Sequence, residues 1–188
     1  MAGHSGMMAA SVPMFAARRG DGAHVATALR YEQHFSADPA TVMAMLRHPD
    51  YVREKGERTG STEVTVDVAE APDGGVVITS TRTMPAEVPS YAAPFVGDSI
   101  TITETQTWTA PAQDGSARAA VTVEFDSPLA YRGTISLSPV ADGVAMSNEG
   151  EFKASVPFVG GKVERVAAEM TEKYLAKEAT VGAEWLSR

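Results

Sequence analysis

The chain has 188 residues, no cysteine and a formal net charge of -8 at neutral pH. That length suits one domain, able to bury about 70% of the surface its unfolded form exposes. The lack of cysteine excludes disulfides, thiolate catalysis and cysteine-based zinc sites. The acidic balance, with no local basic cluster, argues against nucleic acid or an anionic membrane as the main partner.

In chain order, Met7 to Ala17 is only mildly apolar and is followed, not preceded, by Arg18 and Arg19, the reverse of a secretory signal. No apolar run approaches the ~18 residues of a membrane span, so no integral membrane association is expected. Residues 1–23 are expected to be a flexible leader, residues 24–188 a single domain, and the protein cytoplasmic. Ala26 to Phe35 alternates as a strand. Asp38 then stands as N-cap before Pro39 at the first helical position. Val42, Met43, Met45 and Leu46 give that helix an apolar side. His48-Pro49-Asp50 stops it, and Tyr51 to Glu57 is expected to form a second short helix ending at Gly60.

Six strands follow. They span Glu63 to Glu70, Val76 to Met84, Ile100 to Thr109, Ala117 to Asp126, Tyr131 to Pro139 and Val144 to Lys153. Between the second and third lies a Pro-rich connection, Pro85 to Gly97, whose Tyr91 and Phe95 are candidates for a hydrophobic gate. The chain closes on a helix from about Gly161 to Leu186, with Val163, Val166, Met170, Tyr174, Val181 and Trp185 at three-to-four spacing. The order β-α-α-β-β-β-β-β-β-α predicts an α+β fold. Short turns favour one seven-stranded antiparallel sheet, curved by its twist around the long C-terminal helix.

The strand from Ile100 to Thr109 carries the functional clue. Thr101, Thr103, Thr105, Thr107 and Thr109 form a wet face, while Ile100, Ile102, Glu104, Gln106 and Trp108 share the other. A dry core would not place Glu and Gln between Ile and Trp, since buried polar groups are costly unless paired. A sheet enclosing a partly polar pocket does so. Arg82, on the same face as Val76, Ile78, Ser80 and Met84, is expected to meet Glu104 inside. The pair is either a polar anchor for a ligand or a structural ion pair. Gln106 and Asn148 fall on inward faces as further ligand-orienting groups, with backbone pairing as the alternative. Trp108, Tyr131, Phe152, Met170 and Tyr174 would line the same space. Glu164, Glu169 and Glu172 read as a solvated helix face. His4, His24, His34 and His48 are scattered without metal-ligand spacing, so no metal is expected, and with neither a complete P-loop nor a Rossmann fingerprint no other cofactor is expected.

Several phrases resemble the DUF2505 family of the START/Bet v1-like (SRPBCC) superfamily. They are Met84 to Pro89, Phe95 to Asp98, Glu104 to Trp108 and Val156 to Glu164 leading into the last helix. The resemblance covers about residues 25–187. It implies a helix-grip fold with a pocket for apolar or amphipathic small molecules, and brings no catalytic residue set.

The leading expectation is therefore a non-enzymatic binding or carrier protein for a lipid, polyketide or isoprenoid type of molecule. One alternative is a cyclase-, aromatase- or hydrolase-like enzyme, with Glu104 as its acid or base. Another is a protein-interaction module. The oligomeric state is not legible.

Overall fold

Period-two alternation of apolar and polar residues builds seven strands, and two Pro-started segments and one long amphipathic stretch build three helices. The computed structural model describes residues 26–86, 90, 93 and 97–188. The elements are β1 (Thr27–Phe35), α1 (Pro39–Leu46), α2 (Pro49–Arg58), β2 (Thr62–Glu70), β3 (Val76–Pro85), β4 (Ser99–Trp108), β5 (Ala117–Phe125), β6 (Leu129–Val140), β7 (Gly143–Ala154) and α3 (Gly160–Leu186). Asp38 caps α1 by accepting from the backbone N–H groups of Ala40 and Thr41, each at 3.0 Å, and Pro39 supplies the fixed φ of the first turn.

The strands form one antiparallel sheet in the order β1-β7-β6-β5-β4-β3-β2. From β2 to β7 each strand pairs with its sequence neighbour, the arrangement that short connections favour. β1 instead pairs with β7, with Tyr31 opposite Asn148 and Gln33 opposite Met146. β1 and β2 therefore lie at opposite edges, and α1 and α2 carry the chain from one edge to the other. A helix-grip architecture results, with α3 held by the curved sheet.

At 27 residues and about 1.5 Å per residue, α3 runs roughly 40 Å. It packs on β1 and β7 and meets α1 and α2. Phe35, Val42, Met45, Leu137, Val144 and Val181, all at most 2% exposed, belong to one hydrophobic core.

Glu164, expected on a solvated face, is instead completely buried. Its carboxylate accepts from the Ala154 N–H at 2.7 Å, the Thr27 N–H at 3.2 Å and the Thr27 hydroxyl at 3.1 Å. One side chain thus ties the first turns of α3 to the end of β7 and the start of β1. A buried carboxylate is tolerable when its oxygens are satisfied in this way.

Removing that carboxylate leaves backbone donors without an acceptor, at about 1–3 kcal/mol for each buried group. Glu164→Ala is expected to lower the urea midpoint substantially, and Glu164→Gln, which keeps one acceptor, to lower it less. Equal midpoints for both variants and the parent would contradict this role.

Candidate functional site

On β4 the inward face carries Ile100, Ile102, Glu104, Gln106 and Trp108, and all five line a cavity of about 200 Å³ between the sheet and α3. The threonines of the same strand point to the other face, where Thr81 and Thr103 pair across β3 and β4 at 3.2 Å between hydroxyls. Cross-strand threonine pairs of this kind hold the register of a half-wet sheet surface.

Strand geometry spaces same-face residues ~6.8 Å apart, so long polar side chains that lean along the strand can reach one another. The Trp108 indole N–H donates to Gln106 Oε1 at 2.9 Å, and Gln106 Nε2 donates to Glu104 Oε1 at 2.6 Å. Arg82 Nη1 donates to Glu104 Oε2 at 3.2 Å and reaches Ser80 Oγ at 3.4 Å. Glu104 lies opposite Ser80 and Ile102 opposite Arg82, so the ion pair is diagonal across the ladder. Arg82 and Glu104 side chains are 16% and 15% exposed, and both line the cavity.

A second ion pair stands nearby. Lys55 of α2 lies 3.3 Å from the Glu178 carboxylate of α3, with side chains 14% and 15% exposed. Lys55 also acts on Glu104 through space. Burial is the strongest influence on Glu104 and works against its charge, but Lys55 and then Arg82, with hydrogen bonds from Gln106 and Arg82, outweigh it. Its carboxyl is held down to about 2. Burial likewise opposes the charge on Lys55, but Glu178 and Glu104 overcome it and push its ammonium above the ordinary lysine range. Two carboxylates and two cations therefore balance inside the protein. Lys55, Ser80, Glu104 and Gln106 also border a small void of about 20 Å³, room for about one water molecule.

The remaining wall is mostly apolar. Phe152 packs against Tyr131, with ring centroids 4.9 Å apart. Gly133 and Gly150, paired across β6 and β7, leave bare backbone beneath the Tyr131 hydroxyl, and a Cβ on either would collide with it. The tyrosine thus lies against the sheet and leaves the cavity open. Its phenol is pushed up to about 12, chiefly by burial and further by Glu104 and Glu149. Exposed Pro85 and Pro128 also border the cavity, so it reaches the surface near the ends of β3 and β5.

Arg82, Glu104, Gln106, Trp108, Tyr131, Asn148, Phe152, Met170 and Tyr174 all border this one space. Gln106 is engaged between Glu104 and Trp108, whereas Asn148 Nδ2 is buried with no protein partner among the described residues. Tyr91 and Phe95 lie outside the described residues. Among the described residues no three His, Asp or Glu side chains group as a metal site.

Lys55, Glu178 and Gln33, none of them a candidate from the sequence, also line the cavity. Lys55 falls four residues after buried Tyr51, and Glu178 four after Tyr174, so helical spacing placed both inward. Gln33 lies between Leu29, Tyr31 and Phe35 on an alternating strand.

The sequence profile of the DUF2505 family, described as a protein of unknown function, matches residues 30–186. A Thermus thermophilus protein superposes with a TM-score of 0.60 at 14% identity, covering 85% of this chain and 97% of its own. A START superfamily protein from Mycobacterium smegmatis gives 0.55 at 14% identity, with coverages of 85% and 98%. A STAR-related lipid transfer protein fragment from Xanthomonas axonopodis gives 0.54 at 16% identity, covering 85% of each chain. At these identities the likeness is one of fold. A search of curated proteins gives no match.

Arg82→Met strips one cation from buried Glu104. The loss should be clear but smaller than the ~3–5 kcal/mol of an isolated buried pair, because Lys55 still faces the carboxylate. Adding Glu104→Gln should recover much of it, and strictly additive urea midpoints would refute the coupling. Because the folded Glu104 carboxyl sits below its ordinary value of 4.5, unfolding takes up a proton as the pH falls from 4.5 toward 2. Its stabilisation is thus present above that window and lost on acidification through it. Glu104→Gln should flatten the pH dependence of stability there, and an unchanged slope would contradict this.

Proposed function

The chain belongs to the DUF2505 family, and we propose that it is a non-enzymatic binding or carrier protein for a compact apolar or amphipathic molecule of lipid, polyketide or isoprenoid type. The observation that carries this is the aromatic-walled cavity of about 200 Å³ under α3, with its charge-balanced polar cluster. The volume exceeds the ~150 Å³ of an engineered apolar cavity that takes up benzene. It is below the ~300–1,000 Å³ of ordinary ligand pockets. One or two fused rings fit, or the end of a longer chain whose remainder leaves past Pro85 and Pro128. The lipid-transfer description of the Xanthomonas neighbour is in keeping with a ligand of this kind.

Acid–base catalysis through Glu104 has less support. A carboxyl held down to about 2 is ionised throughout the neutral range, and a general acid or base works best with a pKa near the operating pH. A docking module also has less support. Among the described residues, the exposed large apolar side chains are Val140 and Phe158. Val140 pairs with Gly143 at the start of the 12-residue β7 and Phe158 follows its other end, so the length of that strand lies between them.

Trp108 lines the cavity and Trp185 does not, so Trp185→Phe isolates a reporter at the site. In that background an apolar probe such as indane is expected to change Trp108 emission saturably. Ala167→Trp, on the α3 wall, should fill the space and abolish uptake while the protein stays folded, with emission then followed as probe-induced change. Uptake that survives filling would place the binding elsewhere.

A further inference from the structure

The wall formed by β1 and β7 holds two polar side chains whose amide nitrogens are left without a partner among the described residues. Gln33 and Asn148 are only 4% and 7% exposed, and both line the cavity. Their amide nitrogens, Gln33 Nε2 and Asn148 Nδ2, are buried with no protein partner among the described residues. Buried amides are nearly always hydrogen-bonded, so such orphans call for a physical explanation. The two residues are diagonal neighbours: Gln33 pairs with Met146, and Asn148 with Tyr31. That spacing is about 7–8 Å between backbones, and long side chains on one face can converge across it. The terminal torsion of a carboxamide is broad, so each NH₂ can swing into the space its side chain borders.

Resting on the ligand-cavity reading above, we infer that Gln33 and Asn148 together grip one neutral acceptor, a ketone, ester or amide carbonyl, on an otherwise apolar ligand. A carbonyl oxygen has two lone pairs, one for each amide. The charge pattern selects against an ionic head. Among the described residues, the charged side chains bordering the cavity are Lys55, Arg82, Glu104 and Glu178, and each cation already has its carboxylate. An anionic ligand would add a third negative charge to a cluster in which two carboxylates already balance two cations, whereas a neutral carbonyl leaves that balance unchanged. The polar cluster on β3, β4, α2 and α3 then serves the scaffold, and the amide pair on β1 and β7 selects the ligand.

The test uses indane, 1-indanone and indane-1-carboxylate, one carbon frame with no head, a carbonyl and a charge. Dissociation constants are measured by calorimetry on the parent and on Gln33→Leu/Asn148→Leu. The parent should favour 1-indanone over indane by about tenfold, equivalent to ~1.4 kcal/mol, and should bind the carboxylate more weakly than the ketone. The double variant should lose that preference and keep its affinity for indane. Its melting temperature without ligand should be unchanged or higher, since apolar replacement of unpaired buried groups is neutral or stabilising. A preference that survives, tighter carboxylate binding, or a strongly destabilised double variant would each overturn the inference. If indane binds without any carbonyl preference, the amide grip fails and the cavity reading stands. If neither indane nor 1-indanone binds the parent, the cavity reading fails and takes this inference with it.

Discussion

The position of α3 depends on the Glu164 carboxylate. Completely buried, it bonds to the end of β7 and to the start of β1, and so seats the first turns of the long helix over one half of the sheet. The concave faces of β3, β4 and β5 then stand away from the helix, with the cavity between. The far end of α3 is held differently, by tight packing: Gly182 approaches so closely that a Cβ would sit 2.6 Å from the Phe35 ring. A helix fixed at both ends by unlike means cannot settle inward to close the gap.

Such a gap would be unremarkable if it were merely apolar, but it contains charge. Isolated buried ions are expensive, and even paired ones rarely improve on an apolar core. Here the cost is limited by alternation of sign, from Glu178 through Lys55 and Glu104 to Arg82, and by the hydrogen bonds of Gln106 and Ser80. The cluster joins α2, α3, β3 and β4, the elements that face one another across the cavity. The amide nitrogens of Gln33 and Asn148, by contrast, have no protein partner among the described residues. On the proposed reading, this division between a satisfied polar wall and an unsatisfied one separates scaffold from binding surface.

Much of this was legible in the residues. Strict alternation from Ile100 to Trp108 put Glu104 and Gln106 inside, and the same rule put Arg82 beside them, because a strand has only two faces. The seven strands and three helices follow from patterning, caps and turns, as at Asp38-Pro39. Glu164 was not legible, since the backbone N–H groups of Ala154 and Thr27 that it accepts from leave no trace in side-chain patterns, and the Thr27 hydroxyl lies 137 residues away in the chain. Its buried neighbour one turn on, Ala168, is too small to mark the face as apolar. Lys55 and Glu178 were in principle visible at helical spacing from Tyr51 and Tyr174. They were obscured because a charged residue on an apolar stripe reads as an interruption until its partner is known. The diagonal register that joins Arg82 to Glu104 depends on the β3–β4 pairing, which alternation leaves open.

The central claim is that the space beneath α3 is a ligand site rather than a packing defect. The most direct test is a crystal structure of the protein purified from its native host without added ligand, together with intact mass measurement under native conditions. The account predicts density for a compact molecule bounded by Trp108, Phe152 and Met170, with a matching mass that is lost on denaturation. An interior in which α3 closes onto β4 and β5, with no space between them and no bound mass, would contradict it.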